Sequence, residues 1–127
     1  MARVLRVSGR AIILDWTSSE NAEESALRNA HETLRDPSHI RMLPKSELLA
    51  LMPVAGLAPK TLLEWTNGQN FDEWLKTTNA PERAGPLRMV MTALANAGMH
   101  ASINLRLESG KLFFEHHRLL VIAEMHP

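Results

Sequence analysis

Apolar residues recur along this chain in two periods. Short, β-branched runs stand near both ends, Ala11-Ile12-Ile13-Leu14 before Asp15 and Leu119-Leu120-Val121-Ile122-Ala123 before Glu124. Such runs predict strands covered on both faces, in the middle of an α/β sheet rather than at its margin. Between them the period turns helical. Thr17-Ser18-Ser19-Glu20 reads as a capping box. The helix it opens runs to about Leu34, with Ala22, Ala26, Leu27, Ala30 and Leu34 on one side, Glu24 and Arg28 on the wet side, and Pro37 as its stop. A second helix is predicted from about Lys45 to Ala55 on a stripe of Leu48, Leu51, Met52 and Ala55, with Pro53 disturbing its last turn and Gly56 as a left-handed terminator.

Thr61 to Trp65 alternates weakly and predicts a strand, after which Asn67-Gly68 turns the chain. Phe71, Trp74 and Leu75 share a face of a short helix. Asn79 is placed to cap a longer helix that passes through Pro81 and Glu82 and buries Leu87, Val90, Met91 and Leu94 before Gly98. Ile103, Leu105 and Leu107 alternate with Asn104, Arg106 and Glu108, and Ser109-Gly110 turns back to Leu112, which predicts a closing β-hairpin. The one linker-like stretch is Thr77 to Pro86, and no repeat is visible.

With 45% hydrophobic and 22% charged residues among 127, one folded domain over 1–127 is expected. Fourteen basic residues balance fourteen acidic ones, so no net field favours nucleic acid or an anionic membrane. Cysteine is absent, which removes disulfides and sulfur-based zinc sites and makes a cytoplasmic address the expectation. The apolar stretch after Arg3, Arg6 and Arg10 stops at Asp15, too soon for a signal peptide.

Three segments in order carry a family resemblance. Arg3-Val4-Leu5-Arg6-Val7-Ser8-Gly9 followed by the Ala11 to Asp15 strand resembles the approach to the fifth strand of class I S-adenosylmethionine-dependent methyltransferases. Arg35-Asp36-Pro37-Ser38-His39-Ile40-Arg41 is similar to a segment of the menaquinone/ubiquinone-type branch of that family, and Phe71-Asp72-Glu73-Trp74 to a later Phe-x-x-Trp element. Val7 and Ser8 stand where Pro and Gly are usual, and Pro44 where a capping hydroxyl is usual. The resemblance implies the C-terminal part of a Rossmann-like methyltransferase sheet, an α/β (α+β) fragment with a helical insertion and a C-terminal antiparallel hairpin.

The family binds its cofactor on a Gly-rich turn after the first strand. No Gly-x-Gly occurs here; the six glycines stand singly at 9, 56, 68, 85, 98 and 110. The expectation is therefore a chain that neither binds S-adenosylmethionine nor transfers methyl groups by itself. The resemblance further implies that the Ala11 to Leu14 strand has lost its fourth-strand neighbour. Its open edge would be covered by a second copy, giving a homodimer, or by a separate N-terminal half. A self-associating, non-catalytic small-ligand module and an unrelated small α+β enzyme are the alternatives.

Arg35, Asp36, His39 and Arg41 are the strongest candidates for a substrate site, because a His beside two guanidiniums and a carboxylate can orient an anionic or enolic small molecule or take a proton. The same residues also read as a helix-stop turn with locally paired charges. Asp15 and Trp16 end the first strand at its carboxyl edge, where open α/β sheets place ligands, although Asp15 or Thr17 also reads as part of a helix cap. Trp65, Phe71 and Trp74, with Met42, Met52, Met89 and Met91, would line an apolar acceptor pocket or serve as ordinary core. His116 and His117 point to opposite faces of a strand and cannot readily share a metal, so both are expected at the surface or in the hairpin. His31, His100 and His126 lack partners at ligand spacing. No metal site and no catalytic nucleophile is expected.

Overall fold

The computed structural model describes residues 2–77 and 80–125. In chain order it has β1 (Arg10–Thr17), α1 (Ala22–Arg35), α2 (Lys45–Val54), β2 (Leu57–Asn70), α3 (Phe71–Leu75), α4 (Ala84–Asn96), β3 (Arg106–Glu108) and β4 (Lys111–Met125). β4 is the central strand. β1 and β2 pair antiparallel to its two sides, and β3 pairs with its first residues. Among the described residues β1 therefore has one strand neighbour and is an edge.

Register divides the sheet into unlike faces, since residues directly opposite in a ladder point the same way. Ala11 lies opposite Ala123 and Ile13 opposite Val121. On that face α2 closes a small core of Met52, Leu57, Leu119, Val121 and Ala123. The other face carries Leu112, Phe114 and His116 at the start of β4, where Phe71 and Trp74 of α3 and Leu87 and Met91 of α4 cover it. Further along, the same face holds Leu14 opposite Leu120, Ile12 opposite Ile122 and Leu63 opposite Leu120. Nothing in the described chain covers these well: Ile12 is 65%, Leu63 53% and Leu14 51% exposed. β1 is thus not covered on both faces: Ala11 and Ile13 face the core under α2, while Ile12 and Leu14 stand on a face that the described chain leaves bare.

α1 is capped by Asn21, whose side chain accepts from the amides of Glu23 and Glu24, and not by Thr17, which ends β1. Glu20 serves the other helix. Its carboxylate accepts from the Ser46 amide at 2.9 Å and hydroxyl at 2.5 Å, supplying the cap that Pro44 cannot give α2. The buried residues of α1 are Ser25, Arg28, His31 and Glu32, so Arg28 lies inside and Ala22, Ala26 and Ala30 outside. On α2 Met52 is buried while Leu51 and Ala55 are exposed, and Val90 is exposed on α4.

Asn67-Gly68 lies inside β2 rather than in a turn, because β2 runs on for 14 residues to Asn70, the cap of α3. Ile103 and Leu105 are buried but not extended. Positive φ at Ala101, Ser102 and Asn104 folds that stretch into turns, and strand pairing begins only at Arg106. Ser109 and Gly110, both at positive φ, form the two-residue turn into β4. Gly56, at φ +74°, follows α2 as expected. The Thr77 to Pro86 stretch contains a 3-10 turn at Pro81–Arg83 and the first turn of α4; Asn79, the expected cap, and His126 lie outside the described residues. Among the described residues no helix is long and apolar enough to cross a membrane.

Candidate functional site

Past the end of α1 the chain makes a tight turn. Asp36 accepts from the Ser38 amide at 2.9 Å and hydroxyl at 2.7 Å, and its carbonyl accepts from the His39 amide at 3.0 Å. Those hydrogen bonds hold the Asp36 carboxyl below its ordinary value. Asp36 is thus the residue that shapes the turn, and His39 the one the turn presents.

His39 faces a cavity of about 260 Å³ at the carboxyl end of β1, together with Asp15, Trp16, Arg35 and Arg41 and with Met42, Leu43 and Leu48 as apolar lining. Four of the six expected site residues, Trp16, Arg35, His39 and Arg41, meet here. Asp36 and Trp74 do not line it. Trp74 belongs to the core, edge-on to Phe114 at 4.9 Å, with the Arg35 guanidinium 4.8 Å over its ring. The expected pocket between Trp65 and Trp74 does not form: Trp65 is half-exposed on β2 beside a different cavity, of about 420 Å³, with Lys45, Ser102 and Arg118.

Arg35 donates through Nε and Nη2 to one oxygen of Glu32, at 3.0 and 2.8 Å, and through Nη1 to Thr77. Glu32 also pairs with Arg28 at 2.5 Å, and both side chains are almost wholly buried. Burial pushes the Arg28 guanidinium down from its ordinary value, and Glu32 opposes that. Arg28 Nη2 lies 2.7 Å from His116 Nδ1. A guanidinium only donates, so Nδ1 accepts and the neutral His116 ring carries its proton on Nε2.

His116 is buried rather than at the surface; His117, on the opposite face, is exposed and bonds the Ser102 carbonyl. Burial first, and then Arg28 and its neighbours, push the His116 pKa down to about 3. His31, also buried, is pushed down to about 4 by burial and Arg28. His116 stacks on Trp16, centroids 4.0 Å apart and planes 15° from parallel, and Arg118 lies 5.4 Å from the Trp16 ring. The aromatic wall of the cavity therefore rests on a buried chain running from Glu32 through Arg28 to His116.

Sequence reasoning missed this support. Arg28, His31, Glu32 and Arg35 fall at i, i+3, i+4 and i+7 on one face of α1, a polar stripe whose spacing was the available signal. No group of three His, Asp or Glu among the described residues is arranged to hold a metal ion.

No protein-family model matches the chain. It is 31% identical over 101 residues to the uncharacterized methyltransferase YcgJ of Bacillus subtilis, a match that takes in 80% of this chain and 39% of YcgJ. The crystal structure of YcgJ superposes with a TM-score of 0.83 at 24% identity, covering 99% of this chain and 55% of that one. A Bacillus halodurans protein described as a methyltransferase superposes with a TM-score of 0.87 at 23% identity, covering 99% of this chain and 60% of the other. The chain thus spans 39% of the curated relative it matches, and it has the α/β fold of part of these proteins.

Proposed function

We propose that this chain, which matches part of a methyltransferase in sequence and in fold, forms the acceptor side of a methyl-transfer site and depends on a second body for the cofactor. The observation that carries the proposal is the cavity of Trp16, Arg35, His39 and Arg41 at the carboxyl end of an edge strand. Open α/β sheets bind ligands outside the carboxyl ends of their strands, and a cofactor on the next strands would meet a small molecule held there.

Residues of this chain do not fit S-adenosylmethionine by themselves. A cofactor cradle needs clustered, free backbone amides. Three of the six glycine amides are already used, and the glycines stand singly rather than clustered: Gly9 bonds the Arg6 carbonyl at 2.8 Å, Gly56 that of Pro53 at 2.9 Å and Gly98 that of Ala95 at 3.1 Å. In this proposal the chain alone is inactive.

The second body is a strand-and-helix unit of the kind that the longer relatives have room for. A strand would pair with β1, and an apolar helix would cover Ile12, Leu14 and Leu63, which a second copy joined only edge to edge would leave bare. A homodimer through Ala11 to Leu14 is the competing arrangement. The cysteine-free composition is in keeping with a cytoplasmic setting, and the Arg35 to Arg41 segment with the menaquinone/ubiquinone-type branch.

Titration calorimetry of the chain with S-adenosylmethionine tests the division of labour. No binding heat is expected; one-to-one binding by the chain alone would contradict it. The DNA directly upstream is expected to encode, in frame or in a neighbouring gene, a strand followed by a Gly-rich turn.

A further inference from the structure

His39 is fixed in the cavity through Asn29, and the hydrogen bonds settle which way each group points. The Asn29 Nδ2 donates to the carbonyls of Ser25 at 2.9 Å and Met42 at 3.1 Å. Its Oδ1 therefore faces the Met42 amide, at 2.6 Å, and the His39 Nε2, at 2.9 Å. An amide oxygen can only accept, so His39 Nε2 is the protonated nitrogen. In a neutral imidazole the other nitrogen then carries a bare lone pair. That atom, Nδ1, has no partner among the described residues, and the ring lines the cavity beside Trp16.

We propose that His39 is the proton-accepting residue of this cavity, its Nδ1 taking the proton of a planar hydroxyl- or amine-bearing ligand that lies against Trp16. The O–H or N–H bond breaks, its electron pair stays on the ligand heteroatom, and the proton forms a new bond to Nδ1. The resulting imidazolium still donates from Nε2 to Asn29, so the ring need not turn. Arg35 and Arg41 face the cavity and favour the ligand's anionic form, with Glu32 and Glu47 as their respective ion-pair partners. Asp15 lines the same cavity, and Asp36 is tied into the turn by Ser38. Asn29 is a positioning residue: its oxygen selects the tautomer. The role holds only where the cavity is the acceptor site proposed for the chain.

The test uses 4-nitrophenol, a planar weak acid whose absorbance reports its ionisation. Binding to the chain is expected to raise the phenolate fraction at constant pH. His39→Gln, whose side-chain amide can still donate to Asn29, should bind the probe with roughly a tenfold smaller change in its ionisation equilibrium. The Met42 amide resonance shows whether the turn is kept in that variant. No binding, no rise in phenolate, or the same rise in His39→Gln would overturn the proposal, as would imidazole nitrogen NMR placing the His39 proton on Nδ1. Trp16→Ala separates the two claims. Lost binding there with an unchanged rise in His39→Gln would keep the acceptor cavity and sink the role of His39. Unchanged binding there would sink the acceptor placement instead.

Discussion

Trp16 and His116 lie face to face, ring centroids 4.0 Å apart and planes 15° from parallel, one on the edge strand and the other buried on the central strand. The contact joins the cavity to the interior, since His116 is held in turn by Arg28. His116→Ala should therefore do more than open a void: it takes one of two acceptors from buried Arg28, leaving only Glu32, and frees the Trp16 ring. A loss of about 3 kcal/mol in urea unfolding is expected, as for other buried rings cut to alanine. The Trp16 indole resonances should lose their ring-current shifts.

Buried histidines give the fold an acid weakness. The His31 and His116 pKa values lie at about 4 and about 3, below the ordinary 6.5. The unfolded chain therefore binds more protons than the folded one between those values and pH 6.5. Stability is full above pH 6.5 and falls as the pH drops toward the folded values, by on the order of 2 kcal/mol per histidine at pH 5. Thermal melts from pH 7.5 to 4.5 should show the decline, and His31→Gln should flatten it.

Glu32 sits between two guanidiniums, so removing its charge leaves Arg28 and Arg35 facing each other without a counter-ion. Glu32→Gln should cost about 3–5 kcal/mol in denaturant unfolding, the usual result of breaking a buried pair from one side. Replacing the pair together, Arg28→Met with Glu32→Leu, should cost clearly less than the two single changes summed.

Capping of α2 by Glu20 joins two segments far apart in sequence. Hydrogen bonds from the Ser46 hydroxyl and then its amide hold the Glu20 carboxyl below its ordinary value. The stabilisation is present above the unfolded carboxylate value and is lost as pH falls through the depressed one. Glu20→Ala should speed amide exchange at Ser46 and in the first turn of α2 while leaving the first turn of α1, capped by Asn21, unchanged.

The two end strands, α2 as a helix ended at Gly56, and the Ser109-Gly110 turn were legible because each depends on local chemistry: apolar runs, a helical span with a terminator, and two adjacent residues suited to positive φ, although of the expected α2 stripe Leu51 and Ala55 are exposed. α1 was legible as a helix but not in its orientation. A buried face of Arg28, His31 and Glu32 defeats an apolar-stripe reading, because the ion pair that permits burial is completed by His116, 88 residues away. β2 is longer than its alternation suggested because most of it is exposed and no core enforces a period. Ile103 and Leu105 had strand spacing without strand backbone, since burial in turns also spaces apolar residues two apart. In the site, Trp16, Arg35, His39 and Arg41 came together, while Asp36 shapes the turn and Trp74 packs beneath Arg35.

Amide hydrogen exchange along Arg10–Thr17 tests most directly whether this sheet is one side of a larger one. In the chain alone, the amides of β1 turned toward β4 should be protected and the alternate ones should exchange at nearly open rates, becoming protected when a front body pairs with the edge. Uniform protection of all these amides in the chain alone would contradict the account, because the margin would then already be closed.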